Sequence, residues 1–461
     1  MAAPGDALAI AGVMVIAVIA LALPVAWNGF VLVYHDSIDY LGLTFTWQMP
    51  EFRTAAYGLF AGIGRLAGNP TAIVLAQSAL VVLSIALSVR AQFAPPRFLM
   101  AFTVAMIAAL AGGISLFASQ VMADVFAGAM VLGLVSLMLF FDGLSMPRRM
   151  LLAALCAVGV AVHTSHVGLA LGLLMLGGMA RLARRRWPGM PQVRLREAAF
   201  AAIGGISLAV TANAYVTGRP FLTQTATVQA LALFIEGGVT KSYLDENCPP
   251  AGSHKPAPYK LCAYRDHLPP TANDFLWARG ASPLYKLGGW DALRGEAAAI
   301  VDGSLETMPD QVVRQSLDLT AIQFLMLDPG DGLGPRWNYY VQTIGKWYPG
   351  SAKAFQGSRQ QHGIDFKPLY WPTRAIMGVS LAALVIFALA WRRAPRQAMF
   401  AAAILAALVG NAFICGALSN PNHRYQGRLV WLVASSAAMM VLAQTSFGRV
   451  REKETAAPAL G

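Results

Sequence analysis

Charged side chains are scarce in this sequence: only 13% of its 461 residues are Asp, Glu, Lys or Arg. A soluble globular domain typically has about 25%. Hydrophobic residues make up 56% of the chain, and its mean hydropathy is +0.53. Several apolar runs are roughly 20 residues long, the length that crosses about 30 Å of hydrocarbon. The shortage of charge excludes an ordinary soluble protein and predicts an all-α polytopic membrane protein.

Acidic residues are the minority among the charged ones, with 23 Asp and Glu against 35 Lys and Arg, so the net charge is +12. A basic surplus can indicate nucleic-acid binding. Here the basic residues cluster in short segments between apolar runs, as the positive-inside bias produces. We therefore expect the lipid bilayer as a partner, and no nucleic acid.

Cysteine is rare, with four residues in the chain. Cys156 and Cys415 lie in apolar runs and are expected in the core. Cys248 and Cys262 lie in a Pro-rich stretch at a spacing that matches no zinc motif. They form a disulfide if this part of the chain faces an oxidising compartment, and are otherwise two unrelated thiols.

No segment shows a strand pattern strong enough to predict β-structure, and no internal repeat is present. The first apolar run is expected to be a retained helix and not a cleaved signal, because no Lys or Arg precedes it. The run 150–183 has basic flanks on both sides and a polar centre at 163–166, which predicts a hairpin; a single tilted helix is the alternative. The predicted crossings number ten: about 7–29, 70–90, 98–117, 121–141, two within 150–183, 197–216, 373–391, 397–416 and 428–445.

The crossings divide the chain into three predicted parts. Residues 1–216 form a transmembrane module that includes an amphipathic interfacial helix at about 51–68. Residues 217–372 form a largely helical domain outside the membrane. Residues 373–461 add the last three crossings and a tail. Helices within the middle part are predicted near 221–236, 290–306 and 309–327.

Ten crossings and a cytoplasmic N-terminus place every Arg-rich turn on one side of the membrane. All seven histidines then fall on the other side, together with the long region 217–372. In a bacterial inner membrane this side is the periplasmic face. We therefore expect the polar chemistry of the protein to face the periplasm.

Four polar elements come to the bilayer surface on this outer face. A sugar hydroxyl becomes nucleophilic when a carboxylate accepts its proton, and a phosphate departs more easily beside Arg, His⁺ or a divalent cation. The four elements supply both kinds of group, and the nearby interfacial helix adds Arg53 and Arg65. Their candidate residues are Asp36 and Asp39 in the first loop, Asp124, the pair His163 and His166, and His423 with Arg424.

Each candidate also has a purely structural interpretation. The first-loop aspartates can cap a turn, and Asp124 can be the N-cap or a first-turn acid of its helix. The two hairpin histidines can satisfy a buried turn. Arginines near a membrane surface can bind lipid headgroups or anchor the interface.

The layout of the first half of the chain resembles the GT-C superfamily of polyprenyl-phosphate-sugar-dependent glycosyltransferases. The shared features are an acidic first outer loop, an interfacial helix with Arg, a second acidic position, short paired helices and a large later outer domain. Segment 119–124, which ends at Asp124, is similar to the second acidic position of the family. His423-Arg424-Tyr425 is similar to an Arg-Tyr in the last outer loop of some members. The resemblance covers most of residues 7–216.

The resemblance implies transfer of a hexose or pentose from a polyprenyl-phosphate-linked donor to a glycan or lipid acceptor of the cell envelope. A first-loop aspartate, here Asp39 or Asp36, would act as the catalytic base. Asp124 would be its partner, and in some members a divalent metal, Mg²⁺ or Mn²⁺, lies between the two acidic positions. The expected donor-phosphate-binding residues are Arg424, His423, His163, His166 and Arg53.

A transporter or flippase for a lipid-linked envelope precursor is the main alternative function. It would place ionisable residues at the bilayer midplane on discontinuous helices. A scaffold subunit and an O-antigen ligase or polymerase are further alternatives. The ionisable residues here gather at one predicted surface, which favours the transferase.

Overall fold

The computed structural model describes residues 4–49, 53–250 and 254–444. Within these ranges the chain forms twenty-two α-helices and three short 3₁₀ helices, and no β-strand. Leu32 and Gln120 form an isolated parallel bridge. The predicted all-α class is confirmed.

The helices are numbered here in chain order. Those up to residue 222 are α1 Pro4–Asn28, α2 Ser37–Thr46, α3 Ala55–Ala67, α4 Thr71–Gln92, α5 Pro95–Ala111, α6 Ile114–Ala118, α7 Val125–Leu139, α8 Met146–Ala161, α9 Thr164–Arg186 and α10 Arg196–Thr217. The next are α11 Ala226–Glu236, α12 Val239–Asn247, α13 Ala272–Trp277, α14 Pro283–Lys286, α15 Gly289–Thr307 and α16 Pro309–Leu325. The last are α17 Asn338–Trp347, α18 Ser351–Gln356, α19 Lys367–Leu389, α20 Pro395–Ala417, α21 His423–Gly427 and α22 Val430–Gln444.

The chain divides into two compact units. The first is built from residues within 1–222, 327–410 and 426–461, and the second from 223–326 and 411–425. These bounds differ from the three predicted parts: residues 327–372 of the predicted middle part belong to the first unit, and residues 411–425 of the predicted last part belong to the second. The predicted outer location of the middle part stays a prediction.

Among the described residues, seven helices are long and apolar enough to cross a membrane. They are α1, α4, α9, α10, α19, α20 and the run His423–Gln444. Three further predicted crossings correspond to α5, α7 and α8, which have only 17, 15 and 16 residues. The seven helices support a multi-pass membrane protein, and the count of ten crossings stays a prediction.

Helix α7 forms the centre of the first unit, since every residue from Val125 to Leu139 is buried. A helix that is apolar all round is stable where neighbours cover each of its faces. α1 is similarly apolar, but Val15 and Ile16 are 59% and 65% exposed. This exposure is typical of side chains that face lipid.

Two predicted helical segments are interrupted. The helix predicted at 98–117 is wrong in length because it breaks at Gly112 and Gly113. Gly113 has φ of +82°, which a glycine adopts without the steric cost of a side chain. The break predicted within 163–166 is confirmed, since α8 ends at Ala161 and α9 begins at Thr164. The run 150–183 therefore belongs to two helices.

The predicted interfacial helix is present as α3, and residues 51–52 of the prediction lie outside the described residues. One face of α3 is buried, including Tyr57 and Ala61, whereas Leu66 is 90% exposed. This one-sided burial is the pattern of an amphipathic helix. Its position in a membrane interface stays a prediction.

The second unit has its own hydrophobic core. Leu231 of α11 and two residues of α15, Leu293 and Ile300, are completely buried in it. The helices predicted near 290–306 and 309–327 are confirmed as α15 and α16, and the one predicted at 221–236 is shorter, as α11.

A disulfide joins Cys248 and Cys262 in the second unit, as one of the two alternatives predicted. Cys248 directly follows α12 and Cys262 lies in the 3₁₀ helix Lys260–His267, so the bond links the end of α12 to that helix. Cys156 and Cys415 are buried and lie outside the disulfide, as expected.

Candidate active site

The loop after α1 is held in place by residues from distant parts of the chain. Leu32 pairs with Gln120 in the isolated bridge, and its N–H donates to the Ser119 carbonyl at 3.0 Å. The buried Gln360 side chain accepts from the Val33 N–H at 3.0 Å and donates to the Val33 carbonyl at 2.6 Å. A loop clamped on both sides holds its acidic side chains in defined positions.

The same loop contacts the segment that precedes α7. Ser37 Oγ accepts from the Tyr34 N–H at 2.8 Å and donates to the Val121 carbonyl at 3.0 Å. Val121 lies three residues before Asp124. The structure thus brings the first loop next to the second acidic position. The predicted loop also contains α2, which the sequence pattern does not predict.

Asp36 forms a buried ion pair with Arg53. Arg53 Nη2 donates to Asp36 Oδ2 at 2.6 Å, and the two side chains are 14% and 10% exposed, respectively. Asp36 occupies the N-cap position of α2, yet its side chain makes no capping hydrogen bond. The capping interpretation therefore does not account for Asp36, whose carboxylate faces Arg53.

Asp39 lies in the first turn of α2, one turn beyond Asp36. Residues three apart on a helix share a face, and the Asp39 N–H donates to the Asp36 carbonyl at 3.1 Å. Asp39 is half-buried, whereas Asp36 is buried. Of the two first-loop carboxylates, that of Asp39 is the more accessible to a bound molecule.

Asp124 forms a second ion pair, with Arg428. Arg428 Nη1 donates to Asp124 Oδ1 at 3.0 Å, and the side chains are 0% and 1% exposed. Asp124 occupies the N-cap position of α7 without making a capping hydrogen bond. Two charges so far from water persist where they neutralise each other, so this pair joins the start of α7 to the break between α21 and α22.

Glycines allow the close approach that this pair requires. A Cβ on Gly128 would lie 2.5 Å from Trp431 Cζ2, and a Cβ on Gly112 would lie 2.5 Å from Trp431 Cα. Trp431 is completely buried and follows Arg428 by one helical turn. The small residues of α7 and of the end of α5 therefore let α22 bring Arg428 to Asp124.

The two hairpin histidines form hydrogen bonds with the backbone around the break between α8 and α9. His163 is the N-cap of α9, and its Nδ1 accepts from the Ser165 N–H at 3.2 Å. His166 is completely buried, with Nδ1 at 2.7 Å from the Gly159 carbonyl. Because a carbonyl only accepts, the proton of this contact lies on Nδ1. These contacts fit the structural interpretation of the two histidines, and their phosphate-binding role stays a prediction.

Ser165 links this turn to the second ion pair. Its Oγ lies 2.8 Å from His163 Nδ1 and accepts from Arg428 Nη2 at 3.1 Å. Thr54, the neighbour of Arg53, donates its hydroxyl to the Ala161 carbonyl at 3.0 Å. The hairpin tip therefore contacts both arginine-bearing segments.

Tyr57 of α3 lies between the two acidic regions. Its ring packs against that of Tyr40 with centroids 4.6 Å apart, and its hydroxyl donates to Gln77 Oε1 at 2.8 Å. Burial, followed by the proximity of Tyr40 and Asp124, raises the pKa of Tyr57 well above its ordinary value. Tyr57 is therefore a neutral phenol within the polar network that joins α2, α3 and α4.

A third arginine adjoins the first loop. Arg336 Nη1 lies 2.8 Å from His35 Nδ1, and Arg336 Nη2 donates to the Gly332 carbonyl at 2.6 Å. Burial lowers the pKa of Arg336. The pKa of nearby Tyr340 is raised by burial, lowered by Arg336, and raised by Asp39 and Asp36. Arg336 and both first-loop aspartates thus lie within electrostatic reach of one phenol.

Arg424 and His423 belong to the second unit, at the start of α21. The Arg424 guanidinium lies 4.9 Å from the Tyr425 ring, and its backbone N–H donates to Asn422 Oδ1 at 3.0 Å. Asn411 Nδ2 donates to the Tyr425 carbonyl at 2.9 Å. The predicted donor-binding role of Arg424 and His423 stays a prediction.

Hard cations such as Mg²⁺ and Mn²⁺ prefer several oxygen ligands around one position. Asp36 and Asp124 each face a guanidinium. Among the residues that the structure describes, no group of three or more His, Cys, Asp or Glu side chains is placed to hold a metal ion. The donor set as arranged does not fit the predicted metal, and no step below depends on one.

Two residues of the site were missed by the sequence reasoning, Arg428 and Arg336. Arg428 had a usable signal, because an arginine at the edge of an apolar helix is costly to place and marks a functional position. Arg336 had none, since it reaches His35 from 301 residues away.

The residues of the candidate site lie within the first unit: Asp36, Asp39, Arg53, Asp124, Arg336 and Arg428. Comparison with known proteins adds no relative: no family model, no curated protein and no solved structure matches this chain.

Proposed function

We propose that this chain is a membrane glycosyltransferase. It moves a hexose or pentose from a polyprenyl-phosphate donor to a glycan or lipid acceptor at the periplasmic face of a bacterial inner membrane. One observation carries the proposal. In the first loop, Asp36 forms an ion pair with Arg53 at 2.6 Å, and the half-buried Asp39 lies beside this pair. A carboxylate base next to fixed positive charge is what sugar transfer from a phosphate requires.

Asp39 is the proposed general base. It accepts the proton of the acceptor hydroxyl while the acceptor oxygen attacks C1 of the sugar, with inversion. Asp36 is a positioning residue, because its carboxylate holds the Arg53 guanidinium at the loop. This division of roles follows from the greater accessibility of Asp39.

Arg53 stabilises the leaving group. As the bond from C1 to the phosphate oxygen breaks, its electron pair stays on the polyprenyl phosphate, and the guanidinium interacts with the added negative charge. Arg336, held at His35, is a second cation near the same loop. The buried Asp124/Arg428 pair positions α7 and α22 and does not touch the substrate.

The proposal is tested with the purified full-length protein in lipid nanodiscs. Undecaprenyl phosphate carrying a labelled hexose or pentose is supplied with an extract of envelope glycans and lipids. Mass spectrometry should detect both released undecaprenyl phosphate and the label on a new covalent product. A D142N variant, altered at an exposed carboxylate outside the site, should behave like the wild type.

A transporter or flippase for a lipid-linked precursor is a second candidate, and one observation favours it. Arg428 lies at a break between two helices, α21 and α22, and is completely buried. Discontinuous helices with buried charges are typical of transporter sites. The purified protein is reconstituted into liposomes for this test. Movement of the labelled donor across the liposome bilayer without any covalent product would favour this candidate over the transferase.

A further inference from the structure

An open cleft with an estimated volume of 660 Å³ lies between the end of α9 and the start of α10. It is distinct from the candidate active site and shares none of its residues. Five arginines line it: Arg181, Arg184, Arg185, Arg194 and Arg196. They come from two helices and the loop between them, so the chain folds their guanidinium groups around one space.

Among the described residues, most of this charge has no carboxylate beside it. Arg194 pairs with Glu197 at 3.2 Å. In the part of the chain that the structure describes, the other four arginines have no carboxylate within ion-pair distance. Like charges held around one space repel each other. A bound anion would remove that repulsion, so the cleft favours a negatively charged ligand.

One wall of the cleft is fixed before any ligand binds. The Arg194 N–H donates to the Met138 carbonyl at 3.0 Å, and its guanidinium lies 5.1 Å from the centre of the Phe141 ring. Val193 beside it is buried. The loop is therefore attached to the end of α7 and is part of the folded core, unlike a basic segment that lies free in solvent.

A second, mainly apolar pocket of about 520 Å³ adjoins the first. Its walls include Trp187, Met190 and Trp391, and Pro188 borders both pockets. Trp at a membrane boundary lies at the level of the headgroups. A ligand with an anionic group and an apolar portion could therefore bind with the anionic group in the cleft and the apolar portion in the adjoining pocket.

We propose that these two pockets together bind an anionic phospholipid, with its phosphate in the arginine cleft and its glycerol and upper acyl chains against Trp187 and Trp391. Guanidinium groups bind phosphate oxygens through paired, charge-assisted hydrogen bonds. Basic pockets between membrane helices bind anionic headgroups on the side where Lys and Arg gather. A free phosphate would use only the cleft, and the apolar pocket next to it points to the lipid. The inference does not depend on the proposed transferase activity.

The test uses the full-length protein in mild detergent and native mass spectrometry. Dioleoyl phosphatidylglycerol is the probe, dioleoyl phosphatidylcholine is the lipid of equal chain length without net charge, and inorganic phosphate is the soluble anion. Phosphatidylglycerol should bind more tightly than phosphatidylcholine. R184Q/R185Q should weaken phosphatidylglycerol binding by about tenfold or more, since each lost charge-assisted hydrogen bond changes affinity by about that factor.

The matched control is R97Q/R148Q, which removes the same charge from the same predicted side of the membrane outside the cleft. It should leave binding within about twofold of the wild type, because screened surface charges contribute little. W187A should weaken the binding of phosphatidylglycerol and leave the binding of inorganic phosphate unchanged. Equal losses of phosphatidylglycerol binding in R184Q/R185Q and R97Q/R148Q would overturn the proposal, because the lipid would then respond to general surface charge. Displacement of the lipid by equimolar inorganic phosphate would overturn it in favour of a soluble anion.

Discussion

Arg428 donates to the Asp124 carboxylate at 3.0 Å, across 304 residues of sequence and with both side chains almost fully buried. Each residue stands at the beginning of a helix, Asp124 before α7 and Arg428 before α22. The pair therefore holds two central helices in register. It also fixes one wall of the candidate site through Ser165 at the hairpin tip.

Removing one member of this pair should destabilise the protein strongly. In D124N the Arg428 charge stays buried without its carboxylate partner, and such a change costs about 3–5 kcal/mol. Denaturant titration in mild detergent measures the free energy of unfolding. R374Q breaks a half-exposed pair with Asp328 and should cost at most about 1 kcal/mol. Equal losses in the two variants would show that the buried pair does not hold the helices.

G112A should also lower stability, because its Cβ would lie 2.5 Å from the Trp431 backbone and force α5 and α22 apart. Overpacking of this kind typically costs about 1–3 kcal/mol. Gly172 of α9 is the control, since a Cβ there meets nothing within 4 Å. G172A should be neutral or stabilising by up to about 1 kcal/mol, as expected of alanine in a helix. Thermal unfolding of the two variants compares them directly, and an unchanged midpoint for G112A would refute the close approach.

Loss of the disulfide between Cys248 and Cys262 should destabilise the second unit. A closed loop of about 15 residues contributes about 3 kcal/mol through the unfolded chain. C248S/C262S should therefore unfold at a lower denaturant concentration than the wild type. C156A serves as the control, because it alters a buried thiol and leaves the disulfide intact. Maleimide labelling under unfolding conditions should modify two cysteines before reduction and four afterwards. Labelling of all four without reductant would contradict the bond.

Chelation should leave the proposed sugar transfer unchanged. The positive charge beside Asp36 and Asp124 comes from Arg53 and Arg428, and a cation would have to displace a guanidinium to bind there. Transfer rates measured with EDTA, and with added Mg²⁺ or Mn²⁺, should agree within error. Loss of activity in EDTA that Mn²⁺ restores would show that the predicted metal is required.

The lengths of the apolar runs made much of the fold predictable. The helices α15 and α16, the break within the run 150–183 and the disulfide all have local signals, namely periodicity, basic flanks and cysteine spacing. The break at Gly113 was missed because an isolated glycine in an apolar run is often tolerated in a helix. The membership of residues 327–372 in the first unit depends on long-range packing, which no local pattern encodes.

The candidate site was predictable in part. Costly polar residues beside apolar runs pointed to Asp36, Asp39 and Asp124. The sequence predicts Arg53 as a donor-phosphate-binding residue but not its pairing with Asp36, and it predicts Arg428 only as the start of a helix. Burial, which the sequence does not show, separates Arg428 from the many surface arginines.

The central claim is that Asp39 removes the acceptor proton while Asp36 positions Arg53. Single-turnover transfer by D39N, D36N and R53K, measured together with donor binding, tests it most directly. D39N should bind the undecaprenyl-phosphate donor like the wild type and transfer sugar at least about 100-fold more slowly, as expected for loss of a general base. D36N should bind the donor more weakly than the wild type, and R53K, which keeps the positive charge of Arg53, should weaken donor binding less than D36N does. Full transfer activity in D39N would contradict the account, whatever the activity of D36N.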